Sequence, residues 1–148
     1  MRGGKDRGFT LIELLVTVAI LAILMGVAIP MFTRYISKAY RGTVTADVKN
    51  AALAVEAFIE DYRSVPESRD CPSSGYGPAV CDLTDGTNTE PNALKVSKGV
   101  RIELRRVSGC EASVSYRVHG VHEKLPGWGF CFSACEGRQT ETDGTGCP

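Results

Sequence analysis

The six cysteines are the residues of this 148-residue chain whose types and spacing most clearly suggest chemistry. An even number of cysteines in a short exported segment is typical of disulfide bonds, and six cysteines allow 15 pairings. Zinc is the alternative, but Cys131 and Cys135 form the only close pair, and no second close pair completes a tetrahedral site. We therefore predict disulfides and no metal, provided that this part of the chain crosses a membrane. The cysteines are Cys71, Cys81, Cys110, Cys131, Cys135 and Cys147.

Other side chains that could do chemistry are few. His119 and His122, with Glu123, could bind a metal, but they straddle a predicted strand end and loop, so we expect surface histidines. Four oxygen-bearing residues could ligate calcium, but their spacing fits no EF-hand loop, so we expect a solvated polar turn. The chain has no nucleophile elbow, phosphate loop or zinc-protease motif, so we predict neither enzyme activity nor a cofactor. The four oxygen-bearing residues are Asp82, Asp85, Asn88 and Glu90.

Three arginines, Arg101, Arg105 and Arg117, are predicted to lie on the outward face of a sheet, where they could contact DNA phosphates. Glu103 lies among them, and charged outward residues are usual on half-solvated strands, so a solvated face is the preferred interpretation. The chain has 17 basic and 17 acidic residues, and its formal charge is zero. A nucleic-acid binder is therefore not indicated by bulk charge.

The N-terminal third has the organisation of a membrane anchor. Three bases, Arg2, Lys5 and Arg7, precede an apolar run of 24 residues from Phe9 to Phe32, in which Glu13 is the one ionisable side chain. About 20 apolar residues span a bilayer core, and the preceding bases favour a cytoplasmic N-terminus. A small-x-small cleavage site after the apolar run is missing, so a cut is expected before it.

Glu13 is the unusual residue of this run, because a carboxylate inside a membrane helix costs about 2–3 kcal/mol unless it is paired. A cut after Gly8 would create an ammonium group at Phe9, one helical turn from Glu13. That amine could pair with its own Glu13 or with the Glu13 of a neighbouring helix, which would fix axial register. The alternative is a simple signal anchor whose Glu13 reaches the membrane surface.

The segment Gly8-Phe9-Thr10-Leu11-Ile12-Glu13-Leu14-Leu15, followed by an apolar helix, resembles the class III signal of type IV pilins and related pseudopilins. The resemblance covers the first fifty residues. It implies that a prepilin peptidase cuts after Gly8, that Phe9 becomes the N-methylated first residue, and that Glu13 serves assembly. The short leader and Phe9 resemble the type IVa group. Loss of the leader removes three bases and one acid, so the side-chain charge becomes about −2.

The helix is predicted to continue beyond the membrane. Val44, Val48, Val55 and Phe58 recur every three or four residues, with Asp47, Lys49, Asn50, Glu56 and Glu60 on the polar side. Its end is expected near Ser64-Val65-Pro66, since a residue before proline avoids helical geometry. Gly26 and Pro30 weaken the helix, because proline removes one hydrogen bond. The resemblance implies that this stretch loosens when subunits pack.

The remaining chain predicts a small head. Residues 65–99 are predicted as a turn-rich αβ-loop that could contain short helical or strand pieces, 100–136 as an antiparallel sheet of three or four strands, and 137–148 as a polar tail. A hairpin in the sheet would bring Cys110 near Cys135. The expected bridges are therefore Cys71–Cys81, Cys110–Cys135 and Cys131–Cys147. The remaining predicted segments are a cleaved leader (1–8), a transmembrane assembly helix (9–32) and an amphipathic helix of the head (33–64).

The predicted fold class is α+β, with a long N-terminal helix packed on a disulfide-stapled antiparallel sheet, as in type IV pilins. The predicted function is a structural subunit of a type IV pilus, or fimbrium, which serves twitching motility, adhesion or DNA uptake. The subunit would wait in the inner membrane, meet the prepilin peptidase and the pilus assembly machinery there, and self-associate into an extracellular filament. The alternatives are a minor pilin, a type II secretion pseudopilin, and a tip adhesin or DNA-binding module on a pilin stalk.

Overall fold

A computed structural model describes residues 8–109 and 115–148. These ranges contain one α-helix and seven β-strands, and the chain divides after Ile36 into two compact units. The helix, α1, runs from Leu11 to Tyr62. The strands are β1 (Arg69–Cys71), β2 (Ala79–Thr84), β3 (Thr89–Val96), β4 (Val100–Arg106), β5 (Tyr116–His122), β6 (Gly129–Ser133) and β7 (Arg138–Thr142).

The C-terminal end of α1 lies a few residues before the predicted proline stop. Arg63 adopts a left-handed conformation with φ of 53°. Its N–H donates to the carbonyl of Ile59 at 2.8 Å. This single bond from a left-handed residue is a common helix ending, because it satisfies one of the free carbonyls of the last turn.

Five strands form one antiparallel sheet in the order β1-β4-β5-β6-β7, and β2 and β3 form a separate antiparallel hairpin. In the centre of the large sheet, Gly120 of β5 lies between Ile102 of β4 and Phe130 of β6. The predicted fold class, a long helix with an antiparallel sheet, is confirmed. The segment 100–136, predicted as a sheet of three or four strands, contains β4, β5 and β6.

Within the described residues, the structure has four strands outside the predicted sheet. β1, β2 and β3 all lie in the segment that was predicted as a turn-rich loop, 65–99, and β7 lies in the predicted polar tail, 137–148. All five residues of β7 are polar and none is fully buried, so the strand has no apolar alternation that could reveal it in the sequence. It is held by pairing with β6, for example Thr140 opposite Cys131.

The core of the second unit, residues 37–148, is the interface between α1 and the large sheet. Val44, Val48, Val55 and Phe58 are at most 1% exposed. The sheet contributes a matching set of buried side chains, Val100, Ile102, Leu104, Tyr116 and Val118. Burying apolar side chains on two facing layers is the main source of stability in a domain of this size.

Gly120 is the point of closest approach between α1 and the sheet. A Cβ atom there would lie 2.5 Å from Cγ2 of Val48 and 2.8 Å from Cγ1 of Val44. Contacts under 3 Å are sterically forbidden, so only glycine lets the helix pack this closely. The missing side chain on β5 therefore sets the distance between helix and sheet.

Asp47 was predicted on the polar side of the helix, but the structure buries it to 6% exposure. Its carboxylate accepts hydrogen bonds from the backbone N–H of Ser97 at 2.7 Å and from the Ser97 hydroxyl at 3.0 Å. A buried carboxylate is tolerated only when it is hydrogen-bonded, and these two bonds supply partners. Asp47 thus joins α1 to the turn between β3 and β4.

Two of the three expected disulfides are present, Cys71–Cys81 and Cys131–Cys147. The first links β1 to β2, and the second ties the C-terminal residues to β6. The third expected bridge, Cys110–Cys135, includes a residue that lies outside the described residues. Both described bridges belong to the second unit.

Candidate functional site

The N-terminus of α1 is built as a capping box. Thr10 precedes the first helical residue, and its hydroxyl accepts the backbone N–H of Glu13 at 3.3 Å. In return, Oε2 of Glu13 accepts the backbone N–H of Thr10 at 3.0 Å and its hydroxyl at 2.9 Å. This reciprocal arrangement satisfies amide groups that have no partner inside the helix. Sequence reasoning missed the role, although the Thr-x-x-Glu spacing is its signature.

The predicted processing residues lie immediately before this cap. Gly8 is exposed, with open space around it where a side chain would project. Phe9 is 78% exposed. Both residues precede the helix, which begins at Leu11, so the backbone between them is free of helical hydrogen bonding. The bond that follows Gly8 is therefore sterically accessible.

The first half of α1 presents apolar side chains on every side. All residues from Phe9 to Tyr35 are exposed within the described chain. Within the described residues, α1 is the one helix long and apolar enough to cross a membrane, judged by length and composition. A helix that is hydrophobic all round belongs in a protein core or a bilayer. Its large exposed side chains include Leu11, Ile12, Leu14, Leu15, Ile23, Leu24, Val27, Ile29 and Phe32.

Gly26 and Pro30 lie inside the continuous helix of the isolated chain. Proline has no N–H for the carbonyl of Gly26, so one helical hydrogen bond is missing there. The Thr33 hydroxyl donates to the Pro30 carbonyl at 3.0 Å. The expected loosening between Gly26 and Pro30 concerns packed subunits and remains a prediction.

The arginines on the outward face of the sheet have acidic partners. Arg101 lies 2.8 Å from Glu103, and Arg105 lies 2.5 Å from Asp70. The third member, Arg117, lies 3.6 Å from Glu136. Because these carboxylates compete with phosphate for the guanidinium groups, the geometry does not favour the DNA contact considered from the sequence.

The two histidines were expected on the surface, and this expectation is wrong. His119 is 2% exposed and His122 is 5% exposed. Nε2 of His119 lies 3.0 Å from the Thr142 hydroxyl, and Nδ1 lies 3.6 Å from Oε2 of Glu103. Gly129 leaves room for the His119 ring, since a Cβ there would lie 2.4 Å from Nε2. Strand β7, which the sequence did not reveal, thus covers a position that alternation alone assigns to solvent.

Burial lowers the pKa of both histidines, because the charged imidazolium is poorly solvated there. Glu103 partly opposes this effect at His119. The ring of His122 stacks on Tyr40 with centroids 4.3 Å apart, and its Nδ1 accepts the backbone N–H of Lys124 at 3.0 Å. Among the described residues, no group of histidine, cysteine and carboxylate side chains is arranged to hold a metal.

The acidic stretch considered for calcium forms a tight turn. Asp85 accepts the backbone N–H groups of Thr87 at 2.9 Å and Asn88 at 2.7 Å. These hydrogen bonds hold the pKa of Asp85 well below its usual range. Asp82 accepts the backbone N–H of Asn92 at 2.8 Å. The carboxylates thus serve the backbone of the β2–β3 hairpin.

Comparison with known proteins links both units to one family. A model described as the prokaryotic N-terminal methylation motif matches residues 4–29. One type IV major fimbrial protein FimA of Dichelobacter nodosus is 36% identical over 110 residues, which is 74% of this chain and 69% of that protein. Another FimA of that organism is 37% identical over 45% of this chain and 40% of its own length.

A type IV major alpha-pilin of Moraxella bovis is 34% identical over 60% of this chain and 56% of its own length. The chain thus spans between two fifths and about two thirds of these relatives. No solved structure gives a significant match. The methylation motif, the exposed apolar helix, the stapled sheet and the similarity over most of the chain agree, and the chain belongs to the type IV pilins, the structural subunits of type IV pili.

Proposed function

We propose that the chain is a precursor that is cut after Gly8, N-methylated at Phe9 and assembled into a filament through residues 9–32. The exposed apolar surface of this segment carries the proposal. Water-exposed apolar surface costs about 25 cal/mol per Å². A helix with this many exposed apolar side chains therefore requires a bilayer or other helices around it. The same surface suits both environments in turn, first lipid and then neighbouring subunits.

Glu13 is proposed as the residue that sets register between packed helices. In the isolated chain its carboxylate is occupied by Thr10, through bonds that cap the helix. The cut after Gly8 adds an ammonium group at Phe9, which can pair with Glu13 of an adjacent subunit. Leaving a buried charge unmatched costs about 3–5 kcal/mol, so only registers that form the pair are stable.

The proposed partners follow from this life cycle. The precursor resides in the inner membrane, where the prepilin peptidase and the assembly machinery act on it, and the assembled form is extracellular. The relatives are named as fimbrial and pilin proteins, which accords with a structural role and not an enzymatic one. Twitching motility, adhesion and DNA uptake are the proposed uses of the filament.

The competing proposals are a minor pilin, a type II secretion pseudopilin, and a tip adhesin or DNA receptor on the same helix. The similarity to proteins named as major subunits supports a major subunit. The arginines that could bind DNA are paired with carboxylates, which does not support a DNA receptor.

The test is the intact mass of this protein in filaments sheared from the cell surface. We expect an abundant species that begins at methylated Phe9 and is lighter by six hydrogens if all cysteines are bridged. A Gly8→Val variant should leave an uncut precursor in the membrane, whereas Gly4→Val, a matched change inside the leader, should be processed normally. A dominant species that retains Met1 would refute the proposal, and a processed species absent from sheared filaments would favour a minor pilin or pseudopilin.

A further inference from the structure

Cationic and aromatic side chains cluster where α1 meets the loop between β5 and β6. The guanidinium of Arg41 lies 5.0 Å from the centroid of the Trp128 ring, and Nζ of Lys124 lies 5.7 Å from that of Tyr40. Contacts of this kind hold a cation over the face of an aromatic ring. Lys38, Arg41 and Lys124 are exposed. We call Lys38, Tyr40, Arg41, Lys124 and Trp128 the juxtamembrane face.

We propose that the juxtamembrane face binds the anionic phospholipid headgroups of the membrane in which the subunit waits. The inference rests on the proposed function, which places residues 9–32 in that membrane. It adds a lipid class as the partner and a set of head residues as the binding site. None of these residues belongs to the processing or assembly segment.

The charge pattern along the chain supports a lipid partner. Between Glu13 and Asp47 the sequence contains no acidic residue, and its three bases are Arg34, Lys38 and Arg41. The helical members of the face follow Phe32, the last residue of the apolar run, by only six to nine residues. Bases close to a membrane span are attracted to anionic lipids, and Tyr and Trp favour the same interfacial layer.

The acidic groups beside the face reduce its positive charge but do not cancel it. Glu141 lies 3.6 Å from Arg41 and so neutralises one base. Glu123 is exposed in the loop, and its Oε1 lies beside the turn at Gly99. Lys38 and Lys124 carry the remaining positive charge, and no salt bridge to either is found among the described residues. Their long apolar stems suit an interface, because the ammonium group can reach the headgroup layer.

The loop is held by contacts that do not depend on these lysines. His122 stacks on Tyr40, and its Nδ1 accepts the Lys124 backbone N–H. Trp128 is 8% exposed, and its backbone N–H donates to the carbonyl of Leu125 at 3.2 Å. Neutralising Lys38 and Lys124 should therefore remove charge from the face and leave its fold intact. Arg41 is unsuitable for substitution, because it lies over the Trp128 ring, whose fluorescence is used as the probe.

Trp128 is the only tryptophan of the chain and serves as a built-in probe. The full-length protein is reconstituted in phosphatidylcholine vesicles that contain a trace of a lipid with dansyl on its acyl chain. The labelled lipid is phosphatidylglycerol in one sample and phosphatidylcholine in the other. The ratio of energy transfer from Trp128 to the two labelled lipids measures the preference for the anionic headgroup. Each base near an anionic surface contributes about fivefold in affinity, so the two unpaired lysines set an upper bound of about 25-fold. In vesicles with only a trace of anionic lipid we expect a preference of several-fold at low salt that declines as salt is added.

The variant K38Q/K124Q should lose most of the preference, although Arg34 keeps its charge, and the matched variant K95Q/K98Q, which removes two exposed lysines elsewhere in the head, should keep it. Insertion is checked by resistance to alkaline extraction. If the protein inserts but shows no preference, or if K38Q/K124Q retains it, the inference is overturned and the proposed function stands. If K38Q/K124Q keeps its lipid preference but yields fewer filaments, the face packs against a second copy, and the inference is also overturned. If the wild-type protein fails to insert, both proposals fall.

Discussion

The two halves of α1 are one continuous helix made for two different surroundings. Phe32, in the first half, is 66% exposed, whereas Phe58, in the second half, is 1% exposed. The first half is apolar on all sides, and the second concentrates its apolar residues in one stripe that the sheet covers. The difference shows that the second half is stabilised by packing on the sheet, whereas the first half depends on a surrounding bilayer or on neighbouring helices to cover its apolar side chains.

Glu13→Gln gives the largest expected effect, and it acts on the first half alone. Glutamine can still accept the Thr10 hydrogen bonds of the capping box, but it cannot pair with an ammonium group. Loss of the pair leaves a buried charge unmatched, at about 3–5 kcal/mol per subunit contact, so sheared filaments should fall by at least a hundredfold. Head stability, measured by urea unfolding, should not change.

Thr10→Ala is the matched change for Glu13→Gln, because it removes the cap and keeps the charge. It should cost about 1 kcal/mol of helix stability and reduce filament yield only modestly. If Glu13→Gln left the filament yield intact while Thr10→Ala abolished it, Glu13 would act as a cap and not as a register residue.

Substituting the two phenylalanines separates the halves directly. Phe58→Ala should lower the free energy of unfolding of the head by about 3–5 kcal/mol, because it opens a cavity against the sheet. Phe32→Ala should change it by less than about 0.5 kcal/mol. Urea unfolding of the full chain in detergent, followed by Trp128 fluorescence, measures both. An equal loss from both variants would mean that the first half also contributes to the head's stability.

The sequence revealed those parts of the molecule that depend on local patterns. The stripe from Val44 to Phe58 and the alternation in β4 each indicate which of their residues are buried. The contiguous segment Gly8–Glu13 contains the entire candidate processing site. These signals need no knowledge of what packs against them, because helix and strand periodicities are visible within a few residues.

The parts that sequence reasoning missed depend on distant partners. β7 is polar and pairs only through its backbone, so Thr140 gives no sign that it lies opposite Cys131. His119 is buried because Gly129 leaves space and Thr142 lies beside it. Asp47 faces Ser97, 50 residues away. Each of these outcomes is decided by a register that periodicity cannot supply.

Substitution of two glycines, Gly120 in β5 and Gly42 in α1, should have opposite effects on stability. Gly120→Ala forces a Cβ within 2.5 Å of Val48 and should cost about 1–3 kcal/mol through overpacking. Gly42→Ala meets nothing within 4 Å and should stabilise α1 by about 0.5–1 kcal/mol, because alanine is the better helix former. Urea unfolding measures both shifts. A neutral Gly120→Ala would show that helix and sheet separate easily, and the tight contact would not be a constraint.

A pH dependence of stability is expected of the second unit alone. Burial lowers the pKa of His119 and His122, so below about pH 6.5 the unfolded chain binds protons that the folded head resists. Stability should therefore be constant above about pH 7 and fall as the pH decreases through 6.5, by at most about 1.4 kcal/mol per pH unit for each histidine.

His119→Gln should make this slope shallower, even if it lowers stability at every pH, because glutamine does not titrate and only His122 then contributes. Several charged groups face His119. Those groups are Glu103, which favours the charged ring, and Arg101 and Arg105, which oppose it. Urea unfolding between about pH 7.5 and pH 5 measures the slope, above the range in which carboxylates titrate. Stability that rises toward acid would mean that Glu103 outweighs burial and that the folded head prefers a charged His119. Residues 8–36 contain no histidine, so helix insertion into vesicles should show no change over the same range.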